Sequence, residues 1–297
     1  MEIEIYINNE EIKYEHFKIE LNRDKLINSI QIYTNNKYNI NDEVFIVIDN
    51  LNPYLSFKIT SIINTTTKDR SDYLIIASSK EYDLLHYYTT ETIQFDIGTS
   101  INTILKKYGF NNCGEDFNLI YTNELIVPIG INLGELISKI LYERGYILVE
   151  CNKYNLNIQS IKNNQNTNII EFIDSIKIIE NKIYDNVVIY VDNNIRYDEK
   201  WTYFNTGSSG NSNLVYKPLI NTNNESLNEI LDNLKYYNKM KSKIIELELF
   251  TDKYDFKLNN LLNLSKITTL EINDSFTISK IEIDGTKKLK IKGYLYV

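Results

Sequence analysis

Apolar and polar residues alternate along the first third of the chain, as they do in β-strands with one buried and one solvated face. Ile3, Ile5 and Ile7 show the pattern clearly, since Glu and Tyr separate them. Strands are predicted at 3–7, 17–21, 44–48, 55–59 and 73–77, with a turn at 49–53. Residues 1–85 are therefore predicted to form a tube-like antiparallel β-barrel domain of five or six strands.

The apolar period changes to between three and four in the middle of the chain, which indicates helices. Thr99 or Ser100 is placed to cap one helix, and Gly109 follows its last turn. Asn132 caps a second helix, with Glu135 at the capping-box position. These caps predict two helices.

Gly145 is predicted to end the second helix, because glycine adopts the left-handed conformation at helix C-termini. A hairpin with its turn at 152–155 follows. Residues 86–167 are therefore predicted to form a small α+β insert domain.

The last third returns to alternating strands and is predicted to form a second β-barrel domain at 168–297. Ser226 and Glu229 form a capping box, which predicts one helix at about 226–241. The dipeptide at 284–285 is Asp-Gly between two alternating runs, a strong hairpin signal. The predicted fold class is mainly β, with two related antiparallel β-barrel domains flanking the α+β insert.

Two segments of the predicted β domains resemble each other. Residues 57–63 read FKITSII and residues 276–283 read FTISKIEI, and each precedes a hairpin tip and another strand. Two explanations stay open: chance likeness between two hairpins, or two related barrels in one chain.

Composition and charge exclude some functions and leave others. The formal net charge is −8, and none of the three predicted domains is basic, so nothing favours binding to phosphate backbones. Cys113 and Cys151 are too few for a disulfide framework and are expected to be half-buried thiols. The start lacks the pattern of a secretory signal, and no stretch approaches the ~20 apolar residues of a membrane span. We expect synthesis and folding in the cytoplasm, without membrane insertion.

The sequence offers little that could carry catalysis. His16 and His86 are the only histidines, and neither belongs to a nucleophile or metal-ligand motif. Glu246 and Glu248 could act as paired carboxylates, but the same spacing is typical of a solvated strand face. We therefore predict that the protein is not an enzyme and has no catalytic, cofactor-binding or metal-binding residues.

Four stretches, at 73–85, 99–110, 132–158 and 226–250, resemble the baseplate hub family of contractile phage tails. The first is similar to the strand of that family that precedes a Ser-Lys and an Asp-Leu, and the others to its capped helices with their adjoining strands. The family includes the late-control protein D group, the Mu-like hubs and the hubs of R-type bacteriocins. The match spans nearly the whole chain.

The resemblance implies a structural hub in which three chains form a ring of six similar barrels. Such a ring would join the sixfold tail tube to the threefold central spike, so the implied partners are further copies, the tube, the spike and other baseplate proteins. It would be assembled into a phage tail or a bacteriocin particle. The alternatives are a tail-associated cell-wall hydrolase and a spike or receptor-binding tail protein. Exposed hairpin tips predict protein contacts at Arg70, Asp72, Gly207, Ser208, Ser209 and Gly210.

Overall fold

Strands dominate the described part of the chain. The computed structural model describes residues 2–24, 28–49, 51–66, 71–79, 81–119, 125–150, 155–162, 167–170, 173–182, 186–192, 201–205, 213–216, 224–250, 256–264, 274–286 and 288–297. The first third holds seven strands: β1 (Ile3–Ile7), β2 (Glu10–Glu11), β3 (His16–Asn22), β4 (Ser29–Thr34), β5 (Glu43–Ile48), β6 (Leu51–Thr66) and β7 (Ser71–Ser78).

The middle of the chain combines three helices with short strands. In order these are α1 (Glu81–His86), β8 (Ile93–Phe95), α2 (Ile101–Lys107), β9 (Leu125–Val127), α3 (Leu133–Arg144), β10 (Tyr146–Glu150) and β11 (Leu156–Ser160). The last part contains β12 (Thr167–Ile169), β13 (Ser175–Glu180), β14 (Asn186–Asp192), β15 (Trp201–Asn205), β16 (Asn213–Tyr216), α4 (Asn224–Met240), β17 (Lys243–Phe250), β18 (Leu261–Asn263), β19 (Phe276–Asp284) and β20 (Lys288–Leu295). The predicted mainly β fold with an α+β insert is confirmed.

The caps predicted for α2 and α3 are present. The Ser100 side chain accepts a hydrogen bond from the backbone N–H of Thr103, and that of Asn132 accepts one from Glu135 at 3.0 Å. Gly145 ends α3 with a φ of 73°, in the left-handed region that glycine adopts without a steric penalty. The helix predicted at 226–241 begins two residues earlier, at Asn224, so Ser226 lies within its first turn and the predicted cap at Ser226 is wrong.

Short elements and one turn differ from the prediction. Helix α1 and strands β8 and β9 were not predicted, because so few residues show no reliable period. The turn predicted at 49–53 is tighter, since Ile48 already pairs with Leu51. Asp49 enables it with a φ of 53°, a conformation that aspartate tolerates better than most residues.

Ten strands form two repeats with the same internal order. The first repeat runs β3-β4-β7-β6-β5, and the second runs β13-β17-β20-β19-β18. Their registers correspond: Ile30 of β4 lies opposite Ala77 of β7, and Ile245 of β17 lies opposite Gly293 of β20. Residues in the paired parts of one repeat therefore have counterparts in the other.

Both repeats carry a β-bulge at the same place. The register shifts around Thr60 in β6 and around Ser279 in β19. Each of these hydroxyls donates a hydrogen bond across to the partner strand, to the carbonyls of Ile76 and Lys292 respectively. The likeness of 57–63 to 276–283 therefore extends to their backbone geometry, which favours related units over chance.

A left-handed asparagine precedes the matching strands as well. Asn41 and Asn259 have φ angles of 77° and 68°, which asparagine adopts more readily than most residues. Asn41 donates its N–H to the carbonyl of Ile59, and Asn259 donates to that of Ile278, each at 2.9 Å. These turns set the same chain direction in both repeats.

The two repeats share one sheet and one hydrophobic core. Strand β19 of the second repeat pairs with β3 of the first, so the path runs from β13 to β2 and, among the described strands, does not close into a barrel. Buried side chains of both repeats, including Ile19, Ile32, Ile281 and Ile291, form a single cluster. The repeats are therefore fused through backbone hydrogen bonds and packing.

The insert has its own core. Helices α2 and α3 bury Ile104, Leu105, Ile137 and Ile140 completely, in a cluster separate from that of the repeats. Cys113 is disulfide-bonded, so the expectation of a free thiol there is wrong. The other cysteine of the sequence, Cys151, lies outside the described residues.

A pair of phenylalanine substitutions tests the shared core. Phe276 is fully buried, whereas Phe250 in the same sheet is 61% exposed. We expect Phe276→Ala to lower the free energy of unfolding by about 3–5 kcal/mol because of the cavity it leaves. Phe250→Ala should change it by less than about 1 kcal/mol. Urea denaturation followed by circular dichroism measures both, and equal effects would contradict the assignment of Phe276 to the core.

Candidate functional site

The joint between the repeats is formed by the pairing of β3 with the distal half of β19. The two strands are antiparallel, with Leu21 opposite Ile281 and Ile19 opposite Ile283. All four of these side chains are buried, at 4% exposure or less. Pairing here also satisfies backbone groups that a sheet edge would otherwise leave open to other chains.

Ion pairs cover the opposite face of the joint. Lys18 lies 3.3 Å from Glu282, and Lys280 contacts both Glu282 and Glu20, the latter at 3.4 Å. Partial burial alone would raise the pKa of Glu282, but hydrogen bonds to Lys280 and the charges of both lysines lower it below its usual value. These ion pairs thus link the two repeats on the face of the sheet opposite the buried apolar side chains.

A buried arginine closes one end of the joint. Arg23 follows β3 and is 7% exposed, and its backbone N–H donates to the carbonyl of Ser279 at 3.0 Å. Its guanidinium donates to the Asn259 side chain at 3.2 Å and to the sulfur of Met240 at 3.3 Å, and lies over the ring of Tyr294. One side chain that follows β3 therefore contacts the turn before β18, the end of α4 and strand β20.

The surroundings of Arg23 compensate for only part of its burial. Desolvation lowers the pKa of Arg23 from the ordinary arginine value, although the charge of Asp24 opposes the shift. The Tyr294 hydroxyl donates a hydrogen bond to the Asp24 carboxylate, and burial together with that bond raises the pKa of the hydroxyl. The guanidinium stays charged, so the site is a polar anchor in an apolar setting.

Asp72 is the one predicted contact residue within the described chain. It lies half-buried in β7, opposite Thr65 of β6. Arg70, Gly207, Ser208, Ser209 and Gly210 lie outside the described residues. The interface role predicted for these six residues stays a prediction.

Sequence reasoning missed Arg23 and the joint itself. Arginine is almost never fully buried, so nothing in a single sequence marks it as interior. The available signal was the likeness between residues 57–63 and 276–283. Aligning the neighbouring strands on this likeness would have matched each strand of one repeat with a strand of the other.

The paired glutamates that could have acted in catalysis form ion pairs with lysines instead. Within the described ranges, no group of three or more His, Cys, Asp or Glu residues could hold a metal ion. Glu248 contacts Lys288 at 2.6 Å and Lys290 at 3.1 Å, and Glu246 lies 3.5 Å from Lys177. These glutamates thus belong to cross-strand ion pairs on a solvated face.

No helix in the described segments is long and apolar enough to cross a membrane.

The fold is shared with solved tail proteins. The 43 kDa tail protein of prophage MuSo2 from Shewanella oneidensis superimposes with a TM-score of 0.74 at 12% identity, covering 99% of this chain and 98% of that one. The tail protein of Neisseria meningitidis MC58 gives a TM-score of 0.74 at 10% identity, with coverages of 99% and 95%. The likeness is one of fold.

A third neighbour comes from a secretion system. The Escherichia coli protein c3393, a component of the type VI secretion system with structural similarity to the T4 tail proteins gp27 and gp5, gives a TM-score of 0.64 at 8% identity. The alignment covers 99% of this chain and 77% of that one. No protein-family model and no curated protein matches the sequence.

Removing the buried guanidinium should loosen the contact between the repeats. We expect Arg23→Ala to lower the free energy of unfolding by about 1.5–3 kcal/mol, because charged hydrogen bonds are lost and the Asn259 side chain loses a donor. Lys106→Ala, at an exposed helix position, serves as the control and should change stability by less than about 0.5 kcal/mol. Chemical denaturation measures both variants, and an Arg23→Ala chain as stable as the control would refute the anchor.

The ion pairs of the joint should make stability depend on pH. Because the folded-state pKa of Glu282 lies below its unfolded value, its contribution is complete above the unfolded pKa of about 4.3 and is lost as pH falls through the folded pKa. The stability difference between wild type and Glu282→Gln should therefore be largest near pH 7 and shrink below about pH 4.3. Denaturation curves over this range measure it, and a difference independent of pH would rule the pairing out.

Proposed function

We propose that this protein is a non-enzymatic structural component of a tail-like particle, the baseplate hub. Three copies would form a ring that joins the sixfold tail tube to the threefold spike. The observation that carries the proposal is the duplication: ten strands repeat one order, one bulge and one left-handed asparagine within a single chain.

Duplication within the chain would let a trimer match both a sixfold and a threefold partner. A ring needs the same contact repeated around its axis. If each chain supplies two equivalent units, three chains present six similar units to a sixfold partner and three identical ones to a threefold partner. We propose units at 1–85, 86–167 and 168–297, with the first and last in the ring and the α+β unit beside them.

The fold neighbours support this assignment by their descriptions. One is a prophage tail protein and one is described as a tail protein, both aligned over nearly their full length, and a third is a secretion-system component described as similar to T4 gp27 and gp5. We propose the corresponding partners for this chain: further copies, a tail tube protein, a central spike protein and other baseplate proteins. The particle could be a phage or a bacteriocin, and the proposal holds for both.

The solution mass and shape test the proposal. The 34.9 kDa chain should form a trimer of about 105 kDa in sedimentation velocity. A closed ring is favoured because no copy in it leaves a contact surface unpaired. Negative-stain class averages should show a ring with six similar lobes. A chain that stays monomeric at every concentration, both alone and when co-expressed with its own tail proteins, would overturn the hub. Clearing of bacterial cell walls by the purified protein would instead support the hydrolase alternative.

A further inference from the structure

Each repeat has two strand edges that could form a joint, and the joint within one chain pairs only one edge from each repeat. It pairs β3 of the first repeat with the distal half of β19 in the second. By the shared register, the counterpart of β3 is β13, and the counterpart of that half of β19 is the stretch 61–65 of β6. Among the described strands, both counterparts lie at open sheet edges.

These two open edges expose apolar side chains. Ile63 on β6 is 50% exposed and Ile178 on β13 is 41% exposed, whereas Ile19, the counterpart of Ile178, is fully buried in the joint. Natural proteins usually protect open edges with charges, prolines or short strands, because apolar edges recruit other chains. The exposure of both isoleucines points to a partner that covers them.

We propose that β13 of one copy pairs antiparallel with residues 61–65 of β6 in a second copy, in the register of the joint. This register places Ile63 opposite Ile179 and Thr65 opposite Lys177, as Glu282 lies opposite Glu20 and Asp284 opposite Lys18. The inference rests on the proposed self-assembly and names the surface that carries it.

One pair of substitutions between counterparts suits a contact between separate chains, although Leu21 and Ile283 of the joint correspond to the polar Glu180 and Asn64. Within the chain, the facing pair is Glu20 and Glu282, which need Lys18 and Lys280 for neutralisation. Between copies, the facing pair is Ile179 and Ile63, which need no counter-ions. Burying apolar area drives association without the desolvation that buried charges require.

A pocket at the counterpart of the Arg23 site supports the same pairing. It encloses about 220 Å³ in the first repeat and is lined by Asn41, Thr60 and Ser78, the counterparts of Asn259, Ser279 and Tyr294. In the second repeat the corresponding space receives Arg23. The smaller side chain of Ser78 in place of Tyr294 leaves the pocket open.

The register assigns an occupant to this pocket. The counterpart of Arg23 is Lys182, an exposed residue two positions beyond β13. The pocket walls carry two acids, Glu43 and Asp83, and one base, Lys58, so an excess of acidic groups meets an incoming lysine. Lys182 of one copy would therefore enter the pocket of the next, as Arg23 enters its site within the chain.

The contact joins two different surfaces, so copies add head to tail. A head-to-tail contact generates a closed ring when its rotation divides the circle and an open filament otherwise. Because the contact between copies repeats the geometry of the joint within each copy, the two kinds of contact alternate around the assembly. Contacts of the same geometry within and between copies would space all the repeats equally around the ring.

Cysteine cross-linking tests the register directly. Chains carrying Ile63→Cys are mixed with chains carrying Ile179→Cys and treated with a short bismaleimide, since directly opposed residues have Cβ atoms about 4.5–5.5 Å apart. We expect a covalent dimer in the mixture, and none in either variant alone or in the wild type. A control mixture uses Ile126→Cys, at another exposed strand position, with Ile179→Cys.

The outcomes separate this inference from the proposed function. A trimer by sedimentation without the 63–179 dimer would overturn the strand pairing and leave the hub intact. Dimers in Ile63→Cys alone would also overturn it, because they indicate a symmetric contact. A cross-link in open chains rather than rings would support the pairing and refute the closed hub. A monomer without any cross-link would overturn both.

A charge exchange tests the pocket. We expect Lys182→Glu to weaken self-association at least roughly tenfold, because it places like charges together, and Glu43→Lys to act likewise. The double variant should recover most of the association. Lys106→Glu, at an exposed site on α2, is the matched control and should leave association unchanged. If Lys182→Glu behaves like Lys106→Glu, Lys182 does not occupy the pocket.

Discussion

The requirement that backbone groups at strand edges find partners governs this structure. A chain with two five-stranded repeats produces several edges, and each one exposes a row of N–H and C=O groups. The pairing of β3 with β19 removes two of those edges at once. The same pairing places the apolar faces of both repeats against a single core, so hydrogen bonding and burial act on the same pair of strands.

The repeats keep the same backbone and differ in the side chains at the joint. Asn41 and Asn259, and the bulged Thr60 and Ser279, preserve the turns and the twist. Two of the differences fall at the edges, where Glu20 and Glu282 of the joint correspond to Ile179 and Ile63 on the open strands. In the assembly that we propose, the same backbone geometry closes the joint within a chain and pairs the open strands of neighbouring copies.

The α+β insert is attached to this frame through α4. Arg144 at the end of α3 forms a 2.8 Å ion pair with Glu229, and the Asn233 side chain donates to the carbonyl of Glu143 at 2.9 Å. Asn259, which accepts from Arg23, also donates to the carbonyl of Ser160 in the insert at 3.3 Å. The buried arginine and its asparagine thus connect all three parts of the chain.

The sequence by itself determined the local elements. Alternation gave most strands of the repeats, and Ser100, Asn132 and Gly145 fixed the ends of α2 and α3, because caps and periods depend on neighbours within a few residues. Only the tertiary structure decided which strands pair, that the repeats share one sheet, and that Arg23 lies buried between them. Alternation specifies which face of a strand is buried but carries no information about its neighbour across the sheet, and that choice depends on contacts between residues more than 200 positions apart.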